Sequence, residues 1–215
     1  MQNNTMAVRA TSISNLYRIE HKTFDFEAPW SEAFGEHPSR DGAWLVWGAE
    51  KNGKTWFSLM LAKYLSGFDR ALYISGEEGK SLEFVASCKR AGITTACRNL
   101  NIVDYEPLEE IEAMLKKRNA PKAVFFDNLT IYADELKNGN LKRLLNEFPK
   151  TLFVFIAHED RGEPYTATAK LARRLAKIIV HVRGLKATVS GRCKGGDLII
   201  DDERATLYYG NNRAE

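Results

Sequence analysis

Cysteines are few in this chain, and none is patterned. Cys88, Cys97 and Cys193 are the 3 cysteines in 215 residues, and they form no Cys-x-x-Cys pair. An odd, unpaired set excludes a disulfide scaffold and fits a reducing compartment, here expected to be the cytoplasm. His21, His37, His158 and His181 are scattered, without metal-ligand spacing. Long apolar runs are also missing. Stretches such as 152–157 and 178–180 fall far short of the roughly 20 residues a membrane span needs, so no membrane partner is expected. The opening MQNNTMAVRATS lacks the apolar segment of a secretory signal. Nor does one sign of charge dominate: Lys+Arg 31 against Asp+Glu 28 leaves +3, which permits contact with nucleic acid without arguing for it. Repeats and low-complexity tracts are absent.

Hydrophobic residues at 44% and charged residues at 27% are ordinary globular usage, which excludes disordered, collagen-like and coiled-coil chains. The length suits one domain with short appendages. Residues 1–40 read as an N-terminal arm, packed on the body through Phe24, Phe26, Trp30 and Phe34 with a short helical turn. Residues 41–210 read as the main domain and 211–215 as a tail. Within the main domain short apolar runs alternate with amphipathic segments, the sign of βαβ units and a mostly parallel sheet. The pattern predicts strands at 43–47, 71–75, 100–103, 123–127, 152–157 and 177–182. It predicts helices at 54–66, 80–91, 107–118, 134–148 and 168–176. Residues 186–209 change character and read as short antiparallel strands joined by Gly-rich turns, the last of them ATLYYG.

Residues 48–55, Gly-Ala-Glu-Lys-Asn-Gly-Lys-Thr, match G-x-x-x-x-G-K-[ST], the P-loop. An apolar strand precedes it and an amphipathic helix follows, the flanks the motif requires. Gly48 and Gly53 let the backbone curl into an anion-binding nest, and the helix N-terminus adds its free N–H groups. Lys54 is placed to neutralise phosphates, and the Thr55 hydroxyl to ligate Mg²⁺. The expected nucleotide-binding set is therefore Gly48, Ala49, Glu50, Lys51, Asn52, Gly53, Lys54, Thr55 and the following Trp56.

The run Ala-Val-Phe-Phe-Asp-Asn at 123–128 is an apolar strand ending in an aspartate, a Walker B pattern in which Asp127 holds Mg²⁺. The residue after it is Asn128, so no glutamate stands there to activate water. A carboxylate pair, Glu77-Glu78, ends the second strand instead, on the sheet edge that also bears the P-loop. Either could serve as general base, with Glu78 favoured; the pair could also simply favour a helix N-terminus. No Asn-Lys-x-Asp segment reads guanine. A small-molecule kinase would want an Arg-rich lid, and residues 158–170 hold only Arg161 and Lys170.

Taken in order, GAEKNGKT, LYISGEEG, VFFDN and LFVFIAH resemble the RecA-like P-loop ATPase superfamily over residues 40–210, most of all its RadA, KaiC and DnaB-helicase branch. The resemblance implies an α/β fold with a mostly parallel twisted sheet flanked by helices and a C-terminal antiparallel β-hairpin. It implies an oligomeric ATPase, a ring or filament that uses ATP and Mg²⁺ at subunit interfaces in DNA replication, recombination or repair. His158 falls at the position that senses the γ-phosphate. Arg192 and Lys194, alternating about Cys193 on an extended strand, fall where the family supplies a cation to its neighbour's nucleotide. Segments 130–140 and 159–169 fall where the family touches single- or double-stranded DNA, and Gly162 and Pro164 make the second a mobile loop. A bare motor domain of this kind is similar to small phage or mobile-element ATPases with a replication or recombination partner. The alternative is a KaiC-like nucleotide-controlled switch that binds a protein partner and ignores DNA.

Overall fold

The computed structural model describes residues 10–210; the expected tail and the first nine residues lie outside the described residues. Two short helices, α1 (Ile13–Leu16) and α2 (Trp30–Phe34), precede β1 (Gly42–Gly48). There follow α3 (Lys54–Ser66), β2 (Ala71–Ser75), α4 (Leu82–Arg90), β3 (Leu100–Asp104), α5 (Leu108–Leu115) and β4 (Ala123–Asp127). The chain continues through α6 (Asn140–Glu147), β5 (Leu152–Asp160), β6 (Glu163–Pro164), α7 (Ala167–Leu175), β7 (Ile178–Arg183), β8 (Lys186–Gly191), β9 (Gly196–Ile199) and α8 (Asp202–Tyr209). The strands lie in the order β3-β2-β4-β5-β1-β7-β8-β9, with β6 paired to β5. Pairing is parallel from β3 across to β7 and antiparallel through β8 and β9.

The inner strands carry unbroken apolar runs because both sheet faces are covered. Along β1, Trp44 and Val46 point to one face and Ala43, Leu45 and Trp47 to the other. The first face packs on α3, α4 and the arm, through Phe57, Leu61, Leu65 and Phe84 with Phe24, Phe26, Trp30 and Phe34. The second packs on α5, α6 and α7, through Ile111, Leu115, Leu141, Leu144, Ala169 and Ala172. The arm is tied down by its backbone as well, with Phe24 N donating to Pro38 O at 2.9 Å and Phe26 N to Glu36 O at 2.8 Å. Its rings then reach the sheet: Phe34 stacks on Trp44 with centroids 5.4 Å apart and stands edge-on to Phe26 at 5.7 Å.

Three expectations need correction. The helix expected over 134–148 begins only at Asn140, because Asn138 and Gly139 take positive φ (55° and 91°) and interrupt it. Leu129, Tyr132 and Leu136 are fully buried ahead of it, so this stretch is a packed connection. The loop expected over 159–169 is a hairpin: β5 runs on to Asp160, and Arg161 and Gly162 both have positive φ (50° and 79°), the two-residue turn that suits strand twist. The segment read as a last strand, ATLYYG, lies in α8. Asp201 caps that helix by accepting from Arg204 N, and Asp202 and Glu203 fill its first turn, signals that outweigh the β-favouring tyrosines.

Phe34 is 1% exposed among these aromatic rings. Phe34→Ala is expected to cost about 3–5 kcal/mol, read as a lower urea midpoint at unchanged slope. A loss under about 1 kcal/mol would mean that the arm adds little to the core.

Candidate functional site

Every carboxyl end that matters opens on one edge of the sheet. In the β1–β5 register Gly48 lies opposite His158, and in the β2–β4 register Ser75 lies opposite Asp127. The P-loop after β1, the Glu77-Glu78 pair after β2, Asp127 at the end of β4 and His158 in β5 are thereby brought together. Glu50, Lys51, Gly53, Lys54, Thr55, Trp56, Glu77, Glu78, Asp127 and His158 line one cleft of about 540 Å³, together with Ser87, Arg90, Leu185 and Arg204.

The P-loop is shaped by its neighbours. A Cβ on Gly48 would sit 2.1 Å from Val182 O, and one on Gly53 would sit 2.4 Å from Leu185 Cδ2. Gly53 also has φ +98° and is the N-cap of α3, with no side-chain cap. The first N–H groups of α3 therefore lack an intrahelical or capping acceptor and face the cleft, a ready anion site. Asn52 holds the loop in place. Its Nδ2 donates to Glu50 O at 2.9 Å, its Oδ1 accepts from Gly184 N at 2.7 Å, and its backbone O accepts from Leu185 N at 3.2 Å. Lys54 is buried, and its Nζ donates to Ala49 O at 2.8 Å. Burial pushes the Lys54 pKa down, against the pull of Asp127, Glu50, Glu77 and Glu159.

Asp127 is buried and accepts the Tyr73 hydroxyl at 2.5 Å on Oδ2. Burial raises its pKa to about 6, with Glu78 and Glu77 adding to the rise and Tyr73 and Lys54 opposing it. A buried carboxylate in this position, with the Thr55 hydroxyl lining the same cleft, is a set of hard oxygen donors. It fits Mg²⁺, which would supply the missing countercharge. The peptide between Asp127 and Asn128 is cis.

Asn128 organises the reacting edge. Its Nδ2 donates to Glu77 Oε2 and lies 2.7 Å from His158 Nε2, while its Oδ1 accepts from Thr130 N at 2.6 Å. The amide nitrogen thus bridges Glu77 and His158, whose other ring nitrogen is Nδ1. That Nδ1 is buried without a partner. His158 Nε2 also lies 3.3 Å from Glu77 Oε2. Glu77 is thus held, whereas Glu78 lines the cleft with its pKa raised by burial and then by Glu77 and Glu83.

Arg192 and Lys194 are not part of this cleft. Gly191 pairs with Ile178 at the start of β7, and Arg192 N donates to Lys177 O at 2.6 Å, so both cations lie at the opposite end of the sheet. They also fall in an exposed turn after β8, so the expected shared strand face does not exist. Gly191, Gly195 and Gly196, all at positive φ, turn the chain there. The sequence reading missed Tyr73, Asn128 as a bridge, Asn52 as a clamp, and the cleft arginines Arg90 and Arg204. A helix read from Asp201 would have exposed Arg204; Tyr73 and Arg90 carry no local signal.

No known sequence family matches the chain, and no curated protein does. Solved structures do share its fold. One is the flagellar accessory protein FlaH from Methanocaldococcus jannaschii, with a TM-score of 0.58 and 15% identity over 80% of this chain and 87% of that one. The fold is RecA-like, with helices on both faces of a mostly parallel sheet and antiparallel strands at its C-terminal edge. No helix among the described residues is long and apolar enough to cross a membrane.

The raised pKa of Asp127 has a stability consequence. Below the ordinary value of 3.8 the carboxyl is protonated whether folded or unfolded, and its burial costs nothing extra. The cost grows as pH rises from there to about 6 and is fully present above. Two units correspond to about 3 kcal/mol. Asp127→Asn keeps an oxygen for Tyr73 and is expected to stabilise the metal-free protein at pH 8 by about 1–3 kcal/mol, but not at pH 4. Equal unfolding midpoints for the two proteins at both pH values would contradict the assignment.

Proposed function

We propose that the chain is a Mg²⁺-dependent ATPase, with residues 41–210 as the catalytic unit and the preceding arm packed on it through Phe24, Phe26, Trp30 and Phe34. The observation that carries this reading is the P-loop cradle, with Gly48 closed against Val182 O, Gly53 at positive φ and an uncapped helix N-terminus beside a buried lysine. Phosphates fit the N–H groups of 48–56. Lys54 neutralises them, and Thr55 and Asp127 hold the cation, which when bound screens the phosphate charge and polarises the bond to be broken. Glu78 takes a proton from water as the water oxygen bonds to the γ-phosphorus. The bond to the bridging oxygen breaks, leaving ADP and inorganic phosphate. The raised pKa of Glu78 brings it toward the working range of a general base. Asn128 and Glu77 set His158 at the end of β5, where it reports the γ-phosphate to the 159–164 hairpin.

Arg192 and Lys194 are exposed at the far end of the sheet and do not reach their own cleft, so any nucleotide they serve is a neighbour's. A ring or filament with shared sites would bring them to one. DNA is the proposed substrate of the motor: exposed Tyr165 on the hairpin, and Lys170 and Arg174 beside a recess of about 360 Å³ on α7, suit a nucleic-acid backbone and its bases, while Arg173 there is paired with Glu163 at 2.8 Å. Salt-dependent DNA binding and faster hydrolysis with DNA support this substrate. An unchanged rate favours a nucleotide-controlled switch.

Lys54→Ala is expected to lower kcat at least about a hundredfold without changing the fold; unchanged turnover would remove the assignment. Glu78→Gln is expected to slow hydrolysis by about 10²–10⁴ while ATP still binds. If Glu77→Gln does this and Glu78→Gln does not, the two carboxylates exchange roles. Arg192→Ala and Glu78→Gln subunits, each inactive, are expected to regain activity when mixed. A verified mixed oligomer that stays inactive argues against a cation acting across the interface.

A further inference from the structure

The turn between β7 and β8 joins the P-loop to the C-terminal helix. On one side Asn52 holds Gly184 and Leu185 by two hydrogen bonds, of 2.7 and 3.2 Å. On the other, Tyr208 lies so close that a Cβ on Gly184 would come within 2.2 Å of its ring. Gly184 itself has φ +52°, so the close approach and the backbone both call for glycine. Arg183 Nε donates to the Tyr208 hydroxyl at 3.2 Å, and the Tyr209 hydroxyl donates to Arg183 O at 2.8 Å. Lys186 Nζ stands 5.0 Å over the Tyr209 ring, and Ile200 N donates to Leu185 O at 2.9 Å just before α8 begins. Through this chain of contacts α8 is fixed to the nucleotide loop, and it sets Arg204 on the cleft wall.

The cations of the cleft are not equally free. Lys54 donates to Ala49 O, Arg90 lies over the Trp56 ring at 5.2 Å, and Lys51, exposed on the loop itself, is a point charge without the planar fork of a guanidinium. The Arg204 guanidinium has no side-chain partner among the described residues; only its backbone N–H is engaged, by Asp201. It is an exposed fork of donors lining a cleft whose carboxylates are Glu50, Glu77, Glu78 and Asp127. A planar guanidinium pairs with phosphate oxygens two at a time. We propose that Arg204 is an own-chain ligand of the nucleotide's phosphate groups, and that α8 carries it. Resting on the nucleotide reading above, this gives each site a second cation from its own chain, beside Lys54 and any that a neighbour supplies. It also couples nucleotide occupancy to the docking of α8.

The test is equilibrium binding by titration calorimetry, with a non-hydrolysable ATP analogue and with inorganic tripolyphosphate. Wild type, Lys54→Ala, Arg204→Ala and Tyr208→Ala are compared. Arg204→Ala is expected to weaken both ligands by about ten- to a hundredfold while leaving the melting temperature in place. Tyr208→Ala leaves every cleft residue intact and is expected to weaken both in the same direction through the loosened helix. In wild type, the amides of 202–209 gain hydrogen-exchange protection when the analogue binds; in Arg204→Ala they do not. Binding lost in Lys54→Ala but unchanged in Arg204→Ala overturns this proposal and leaves the nucleotide reading standing. A loss confined to the ATP analogue moves the contact to the base or ribose and overturns the phosphate assignment. A wild-type protein that binds neither ligand overturns both readings.

Discussion

The close approach of the P-loop to the end of β7 is the constraint from which the site follows. Gly48 has no room for a side chain beside Val182 O, and Gly53, next to the movable tip of Leu185, has φ +98°, a conformation that other residues rarely adopt. Packing demands the first glycine and backbone conformation the second, even before a phosphate is considered. β1 lies between β5 and β7, so the loop that leaves it has His158 on one side and the β7–β8 turn on the other. Asn52 closes that second contact. With the loop so fixed, the N-terminus of α3 can aim only at the edge where Asp127 and the Glu77-Glu78 pair also end.

The same edge concentrates the groups that folding would rather avoid. Asp127 is a carboxylate pushed to a higher pKa by its own burial, Lys54 is an amine pushed to a lower one, and His158 leaves a ring nitrogen unpaired. Each costs stability while the site is empty. The aromatic packing of the arm offsets this at a distance. Phe24, Phe26 and Phe34 cover the sheet face under β1 with rings that stack on Trp44 or meet it edge-on, and Trp30 packs on Phe34 and stacks on Tyr64. The two functions of the sequence are thus separated in space, with apolar rings near the start of β1 and charged groups after its end.

Regular elements were legible wherever one period held over the whole segment. Strands 71–75 and 123–127 and helix 54–66 agree with the structure at both ends, because apolar runs and the P-loop lysine mark their limits. Legibility failed where one or two residues at positive φ override a helical or loop pattern. Gly139 delays α6, and Arg161-Gly162 turns an expected loop into a hairpin. It failed again in α8, where a capping aspartate prevails over tyrosines that favour strands. In the site, residues with a motif were readable and those that only touch a motif were not. Tyr73 meets Asp127 across two strands, and Asn52 meets a turn more than a hundred residues on; neither contact has any trace in local spacing.

The most direct measurement is amide hydrogen exchange along residues 48–56, with and without ATP and Mg²⁺. If these N–H groups form the phosphate cradle, they gain protection when nucleotide is added, and the amides about Asp127 gain it only when Mg²⁺ is present too. Identical exchange along 48–56 at saturating nucleotide would contradict the account.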